Sequence, residues 1–500
     1  MIATLYAIGM AVLLLYGLNL FWLAYAYARH DRLLTGPVPD PNDLPVPDDC
    51  WPRVTVQLPL YNEAYVAERL IDACARLRYP PARLEIQVLD DSTDETKALV
   101  AQRVAYWRAR GRNIVHIHRN GRAGYKAGAL QNGLRLAGGQ LIALFDADFV
   151  PASDFLQRMV PAFEDPKVGM VQARWGHLNA ETSLLTRIQA FGLDAHFALE
   201  QHVRNLTGCF INFNGTAGVW RLACIEDAGG WQSDTLTEDL DLSYRAQLRH
   251  WAFRYISAVE VPAELPADMN AFRAQQFRWT KGAAQTALKM LGPLWRSDQA
   301  AWVKLEGTLH LTASIVFPFV MLIAALHVPL LLLKEAGQGP GEVYFTVMGL
   351  GLFGFAGFFL AQLFAQRALY PDWGRRLLLF PIFMAGSMGM ALSNTRAVFQ
   401  ALVGKRTPFE RTPKYNVSAE EGGAGLWKKR YAETRVPRIA WLELLMALYC
   451  IAGLGATLFY GTWAAVPFQA LFALGFGLVT VYNLKPFWQA RAGRHARPFG

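Results

Sequence analysis

Five apolar segments of membrane-spanning length constrain this 500-residue chain more than any other feature of its sequence. The hydrocarbon core of a bilayer is roughly 30 Å thick, so a helix needs about 20 apolar residues to cross it. The segments run 1–27, 309–333, 343–366, 439–460 and 463–484. Hydrophobic residues make up 53% of the chain and charged residues 18%, which excludes a disordered chain and argues against a purely soluble enzyme. The sequence therefore predicts an integral membrane protein.

A sixth apolar stretch, 377–403, is predicted to lie in the membrane interface instead of crossing the bilayer. It carries Ser393, Asn394 and Arg396, which are costly in lipid but natural on an interfacial helix. If the stretch crossed, the basic loop after it would lie outside, against the tendency of lysine and arginine to remain in the cytosol. An interfacial helix keeps this loop and the globular part cytosolic, as in a bacterial inner membrane or its equivalent.

These segments divide the chain into seven predicted parts. They are a membrane helix (1–29), a proline-rich linker (30–52), a cytosolic globular domain (53–300), two membrane helices with the interfacial helix (301–403), a cytosolic loop (404–438), two membrane helices (439–484) and a basic cytosolic tail (485–500). The five cysteines form no CxxC pair, so neither a disulfide scaffold nor a cysteine zinc site is expected. The formal charge of +9 includes the basic loop and tail beside the lipid bilayer, and no nucleic-acid partner is expected.

Short apolar or β-branched runs alternate with helical patterns in the globular domain. Such runs occupy 54–58, 84–89, 114–117 and 141–145. Alternation of this kind predicts βαβ crossovers and therefore an α/β fold with a mostly parallel sheet. Ligands of such sheets bind beyond the carboxyl ends of the strands.

Two of these strands end in paired carboxylates. Asp90 and Asp91 follow one strand, and Asp146 and Asp148 follow another. Four carboxylates at one sheet edge repel each other unless a cation lies between them, and hard oxygen ligands favour Mg²⁺ or Mn²⁺ completed by substrate phosphates. The sequence has no P-loop motif, which leaves metal-assisted departure of a diphosphate as the favoured chemistry. For any single aspartate, a helix cap or a turn is an equally good explanation.

A third acidic run and a tryptophan motif lie further along the domain. Asp239, in the Thr-Glu-Asp run 237–239, is a candidate base for an attacking hydroxyl, although a helix start capped by the threonine is the alternative. Further on, Gln275 and Arg278 share one helix face beside Trp279. Tryptophan suits a sugar ring and arginine a phosphate, but an interfacial belt of tryptophan and arginine explains this run equally well.

Together these motifs resemble the processive, membrane-embedded inverting glycosyltransferases of family 2, which include cellulose synthases, hyaluronan synthases and the plant cellulose-synthase-like mannan and glucan synthases. The matching stretches occur in the family's order: QLPLYNE (57–63), VLDDSTD (88–94), GYKAG (124–128), FDAD (145–148), VQARW (171–175), FNGTA (213–217), TED (237–239) and QxxRW (275–279). The resemblance covers the whole globular domain and implies that it has a GT-A-type fold.

The resemblance also implies roles for individual residues. Asp239 would be the catalytic base, and Asp146 and Asp148 the metal ligands, with Asp146 also contacting the nucleotide. The other substrate-binding residues would be Tyr61, Glu63, Asp90, Asp91, Lys126, Gly215, Thr216, Glu238, Gln275, Arg278, Trp279, Thr412 and Lys414. Thr412 and Lys414 belong to a run, 409–414, that partly resembles the gating-loop motif FxVTxK of bacterial cellulose synthase, with Arg411 in place of valine.

By this resemblance the protein would polymerise a β-linked glucan or mannan from a nucleotide sugar and move it across the membrane. Its partners would be a donor, either UDP-glucose or GDP-mannose, and the growing glycan, and its cofactor Mg²⁺ or Mn²⁺. One alternative is transfer of a single sugar to ceramide or a polyprenyl phosphate. Another is a non-catalytic scaffold or channel, which would be expected to have lost at least one of the carboxylates.

Overall fold

A computed structural model gives the fold of residues 1–34, 49–409, 411–416 and 436–495. Five helical stretches in these ranges are long and apolar enough to cross a membrane, and they coincide with the five predicted segments. They are Ile2–His30, Ala301–Glu335, Glu342–Leu369, Ile439–Phe459 and Trp463–Leu484. Most of the proline-rich linker, much of the basic loop and the end of the tail lie outside the described ranges.

Helices account for most of the described chain. They are α1 (Ile2–Leu34), α2 (Ala67–Ala75), α3 (Thr96–Arg108), α4 (Tyr125–Leu134), α5 (Phe155–Met159), α6 (Leu184–Ala195), α7 (His202–Leu206), α8 (Leu222–Asp227), α9 (Glu238–Gln247), α10 (Met269–Arg296), α11 (Ala301–Thr312), α12 (Val316–Glu335), α13 (Glu342–Gly349), α14 (Leu352–Leu369), α15 (Trp373–Arg376), α16 (Phe380–Gly389), α17 (Ala391–Leu402), α18 (Ile439–Phe459) and α19 (Val466–His495). A π-helical turn, His196–Gln201, joins α6 to α7.

The apolar stretch 377–403 forms a bent helix pair. Its halves, Trp373–Gly389 and Ala391–Leu402, meet at 44°. In the second half Ser393 and Asn394 are buried, whereas Arg396 is exposed. The polar side chains are therefore partly sheltered by the protein, and the interfacial position of the stretch stays a prediction.

One seven-stranded sheet organises the globular domain. Its strands are β1 (Val54–Leu60), β2 (Leu84–Asp90), β3 (Ile114–His118), β4 (Leu141–Leu144), β5 (Val168–His177), β6 (Gly218–Arg221) and β7 (Ala252–Ala263). They are ordered β3-β2-β1-β4-β6-β5-β7, and every pair is parallel except those of β6, which runs antiparallel to β4 and β5. The predicted α/β fold with a mostly parallel sheet is confirmed, and the carboxyl ends of β1, β2 and β4 meet at one edge.

Apolar side chains cover both faces of this sheet, as strands buried on two sides require. On one face Val56 and Leu58 pack with Leu70 of α2, and on the other Leu144 packs near Trp220. Each fully buried side chain of this size contributes about 1.5–3 kcal/mol. The strand ends are thereby held rigidly, so the loops that follow them have fixed starting points.

Glycines allow membrane helices α1 and α14 to cross closely. A Cβ added to Gly17 would overlap the backbone of Gly354, and one added to Gly357 would overlap the backbone of Gly17. Lipid tails are as apolar as leucine, so membrane helices associate largely through such close packing of small residues. The first helix is therefore packed against a helix that follows the globular domain.

Candidate active site

A cavity of about 180 Å³ opens at the carboxyl edge of β1, β2 and β4. Most of the residues that the sequence assigned to substrate or metal line it: Tyr61, Glu63, Asp91, Lys126, Asp146, Asp148, Gly215, Glu238, Asp239, Gln275, Arg278, Trp279, Thr412 and Lys414. The fold thus gathers motifs from the whole globular domain and from the loop after α17 into one cavity.

Two residues that were expected to bind substrate lie behind the cavity wall instead. Asp90 is fully buried, and its carboxylate accepts a hydrogen bond from the backbone N–H of Ser92 at 2.8 Å and lies 2.9 Å from His116 Nε2. The hydroxyl of buried Thr216 accepts a hydrogen bond from the backbone N–H of Asp146 at 2.9 Å. Because both side chains are committed to their neighbours, each supports a cavity segment without lining the cavity.

Asp146 and Asp148 lie in the turn after β4, and each contacts a lysine. Lys126 Nζ lies 2.5 Å from Asp146 Oδ1, and Lys414 Nζ lies 2.5 Å from Asp148 Oδ2. Two carboxylates that both attract cations at one cavity wall supply the oxygen donors that Mg²⁺ and Mn²⁺ take. The residues present therefore fit a divalent cation. The nitrogen and oxygen ligand atoms of Asp90, His116 and His118 also lie within 4.8 Å of one another, a spacing compatible with a metal ion.

Asp239 begins α9 with its carboxylate against Gly215. Gly215 has a φ of +83°, and a Cβ there would lie 2.8 Å from Asp239 Oδ2, so only glycine leaves the carboxylate in place. Burial, followed by the charge of Glu238, raises the pKa of Asp239 to about 7, and burial raises the pKa of Glu238 too. A pKa near neutrality suits a general base. The alternative of a threonine-capped helix start is half right: α9 does begin here, but the Thr237 side chain makes no capping hydrogen bond.

Helix α10 carries Arg278 and Trp279 into the cavity. A Cβ added to Gly282 would lie 2.9 Å from the backbone nitrogen of Thr237, so this glycine lets α10 approach the start of α9 closely. The ring of Trp279 lies 6.4 Å from that of Trp175, which also lines the cavity. Both motif side chains therefore face the cavity, which favours the binding interpretation over an interfacial belt.

The loop that follows α17 forms another wall. Arg411 Nη1 donates to Glu63 Oε2 at 3.2 Å, and the guanidinium of Arg278 lies 4.7 Å from the ring centre of Phe409. Burial raises the pKa of Glu63 to about 8, although the charge of Arg411 opposes this. With Lys414 on Asp148, the loop contacts the cavity at three points, so its conformation and that of the site are coupled.

Some cavity residues were missed by the sequence reasoning. The guanidinium of Arg122 stacks 3.4 Å from the ring centre of Tyr61. Arg119 Nε donates to Asp91 Oδ1 at 2.7 Å, so that carboxylate already has a partner. Glu264, at the end of β7, accepts a hydrogen bond from the Tyr415 backbone N–H at 2.8 Å. The only local signal for Arg122 and Arg119 was their position just before the glycine-rich start of α4.

A second cavity, of about 300 Å³, continues from the first toward the membrane helices. Gln275 and Trp279 line both cavities. Its other walls come from α6, α16, α17 and α19 and include Phe383, Met390 and Tyr482. The carboxylate site is therefore connected to a largely apolar space between helices.

With this geometry in place, comparison with known proteins assigns the class of the domain. Residues 52–282 match the family model described as Glycosyltransferase like family 2. The globular domain is a family 2 glycosyltransferase domain, and the resemblance that its motifs carry is confirmed.

The similar curated proteins are plant enzymes. Glucomannan 4-beta-mannosyltransferase 7 from Arabidopsis thaliana is 45% identical over 260 residues, which are 51% of this chain and 47% of that protein. Glucomannan 4-beta-mannosyltransferase 1 from Oryza sativa subsp. japonica is 42% identical over 275 residues, which are 52% of this chain and 53% of that protein. The chain spans about half the length of the curated relatives it matches.

Among solved structures, a mannosyltransferase from Pyrobaculum calidifontis in complex with GDP-Man and Mn²⁺ is similar in fold. The match has a TM-score of 0.54 at 20% sequence identity and covers 81% of this chain and 100% of that one. The likeness extends the GT-A-type fold assignment to three dimensions.

Proposed function

We propose that this protein is a membrane-embedded inverting hexosyltransferase that polymerises a β-linked mannan and moves it across the membrane. The names of its plant relatives favour a mannosyl donor, GDP-mannose, over UDP-glucose. The acceptor is the non-reducing end of the growing glycan.

One observation carries the proposal. Asp239, the pair Asp146 and Asp148, and Trp279 border a single cavity, and that cavity continues between the membrane helices. A glycan that occupies the second cavity would hold its end group beside the base and the donor. Sugar rings stack on aromatic faces, and Trp279 lies where the two cavities meet.

The proposed chemistry is one in-line displacement. Asp239 takes the proton of the acceptor hydroxyl while the oxygen attacks the anomeric carbon, and the bond from that carbon to the diphosphate oxygen breaks. The nucleoside diphosphate leaves with the electron pair, and the configuration inverts. A retaining double displacement would need a nucleophilic carboxylate in addition to the base. Lys126 and Arg278 line the same cavity and are suited to stabilise the leaving charge.

A divalent cation, Mg²⁺ or Mn²⁺, held by Asp146 and Asp148 would neutralise diphosphate charge. Lys126 and Lys414, which contact these carboxylates, are suited to phosphate oxygens as point charges. In this proposal the segment 404–438 is a gating-type loop, and the contacts of Arg411 and Lys414 are those that close it over the nucleotide.

The proposed orientation follows from the distribution of basic residues. Lys405, Arg406 and further lysines and arginines up to residue 430 lie in the loop after α17, and more occupy the tail. The positive-inside tendency then places the catalytic domain in the cytosol and the first residues of the chain outside.

Purified protein in lipid nanodiscs tests the function. We expect nucleoside diphosphate release with GDP-mannose, and a radiolabelled product of polymer size. Asp239→Asn and Trp279→Ala should each abolish polymer while nucleotide binding survives, and normal polymer from either variant would refute these assignments. A product of one sugar on a lipid would instead favour a lipid glycosyltransferase, and no release from any nucleotide sugar would favour a scaffold.

A further inference from the structure

Asn214 lies in the cavity wall, and the mechanism above gives it no part. Its side chain is partly buried and lines the carboxylate cavity. Its neighbour Gly215 packs against Asp239, so Asn214 lies one residue from the contact with the proposed base. Its own backbone N–H donates to Gln172 Oε1 at 3.1 Å, which fixes the position of its main chain.

The amide of Gln201 determines how Asn214 is oriented. Gln201 is fully buried at the end of the π-helical turn. Its Nε2 donates to the carbonyl of Asn212 at 2.7 Å, and its Oε1 accepts from the N–H of Asn212 at 3.4 Å. A carbonyl can only accept and an N–H only donate, so these contacts leave one possible orientation of the Gln201 amide. The second N–H of Nε2 then donates to Asn214 Oδ1 at 2.8 Å.

With its oxygen on Gln201, Asn214 presents its nitrogen to His196, and Nδ2 lies 3.1 Å from His196 Nε2. Nε2 must accept this bond, so the ring proton is on Nδ1, 3.8 Å from the Glu200 carboxylate. Burial alone would raise the pKa of Glu200, but the hydrogen bond with His196 and the charge of Arg204 lower it to about 2, and its ionised form favours this tautomer.

These contacts leave the Asn214 amide one N–H and one lone pair of Oδ1 that no printed contact among the described residues uses. Such a donor and acceptor side by side match two hydroxyl groups of a sugar. The helix that provides His196 and Gln201 is continuous with α6, whose Leu193 lines both cavities. Asn214 therefore lies on the side of the site from which the second cavity leads to the membrane helices. Single π-helical turns within α-helices are frequent at functional sites.

We propose that Asn214 binds hydroxyl groups of the acceptor sugar and that Gln201, with His196, is the positioning residue that fixes its amide. The inference rests on the proposed function and adds to it a residue that selects the acceptor. A misoriented amide would offer the sugar the wrong donor and acceptor, so the loss should fall on acceptor binding and spare the donor.

The experiment compares Gln201→Glu and Asn214→Ala with a matched control, Gln247→Glu. Gln247 also binds a backbone unit of this segment, with Nε2 2.7 Å from the Ile211 carbonyl and Oε1 3.1 Å from its N–H. The control therefore makes the same substitution in the same kind of contact, but away from Asn214. Elongation of mannohexaose gives the acceptor KM, and release of nucleoside diphosphate without acceptor gives the donor KM.

We expect Gln201→Glu and Asn214→Ala each to raise the acceptor KM about tenfold or more, as the loss of one or two hydrogen bonds predicts, with the donor KM within about twofold of wild type. The double variant should be no worse than Asn214→Ala, because Gln201 acts through Asn214. Gln247→Glu should leave the acceptor KM within about threefold of wild type, well short of a lost hydrogen bond at the sugar.

Three results would overturn the inference: an unchanged acceptor KM in Asn214→Ala, equal effects of the two glutamine substitutions, or additive losses in the double variant. Any of these in a wild-type protein that elongates glycans leaves the proposed function standing. A wild-type protein that elongates no oligosaccharide refutes the proposed function itself, together with this inference.

Discussion

The rate of glycosyl transfer should depend on pH through Asp239. Burial and the charge of Glu238 raise the pKa of its carboxyl from 3.8 to about 7, against the opposing charge of Lys126. A base must be ionised to act, so kcat/KM should rise with pH and level off above the pKa. The ionised fraction falls tenfold per pH unit below it, to about a tenth at pH 6 and about a hundredth at pH 5. An aspartate of ordinary pKa would give a flat profile over this range.

The assay is the initial rate of glycan elongation between pH 5 and 8.5 at constant ionic strength. Glu238→Gln removes one cause of the raised pKa, so the acid limb should move to lower pH. Asp239→Asn should lower the rate by about 10²–10⁴ and abolish the limb.

The pKa of Glu63 is raised to about 8, so Glu63→Gln is the necessary control. The limb near pH 7 should persist in this variant, because it belongs to Asp239. A wild-type rate that is level from pH 5 to 8, or an unchanged acid limb in Asp239→Asn, would refute the assignment of Asp239 as the base.

Further predictions concern the metal, the loop and the membrane helices. Asp148→Asn should raise the Mn²⁺ concentration for half-maximal activity about tenfold or more, measured by titration with Mn²⁺; an unchanged requirement would exclude Asp148 as a ligand. Arg411→Ala removes the charge paired with Glu63 and should raise the donor KM about three- to tenfold, whereas an unaltered donor KM would separate the loop from nucleotide binding. Gly357→Leu should cost about 1–3 kcal/mol by forcing α1 and α14 apart, measured by thermal unfolding in nanodiscs, while Gly349→Leu, where a Cβ meets nothing within 4 Å, should change little; equal effects would contradict the close-packing argument.

The parts of the site that could be predicted are those with a local cause. Asp146 and Asp148 follow a buried strand, and Asp239 begins a helix, so their approximate positions depend on neighbouring residues in the chain. Strands of a parallel sheet end at one edge, which makes convergence of such residues predictable. The apolar segments were equally clear, because length and composition alone define a helix that can span a bilayer.

Direction and partnership could not be predicted in the same way. Asp90 and Thr216 belong to the matching motifs yet face away from the cavity, because successive side chains of an extended chain point to opposite sides and a one-residue difference decides which side is lined. Arg122 and Asn214 gave little or no signal, since their significance depends on Tyr61 and Gln201, which lie elsewhere in the sequence.

The sequence by itself determined the membrane segments, the α/β class and the set of carboxylates, because hydrophobic length, strand–helix alternation and strand-end position are local properties of the chain. Only the tertiary structure decided that Gly215 presses on Asp239, that Gly282 admits α10 beside α9, and that Gln201 orients Asn214. Those relations arise from close packing between distant segments, and burial within that packing is also what raises the pKa of Asp239.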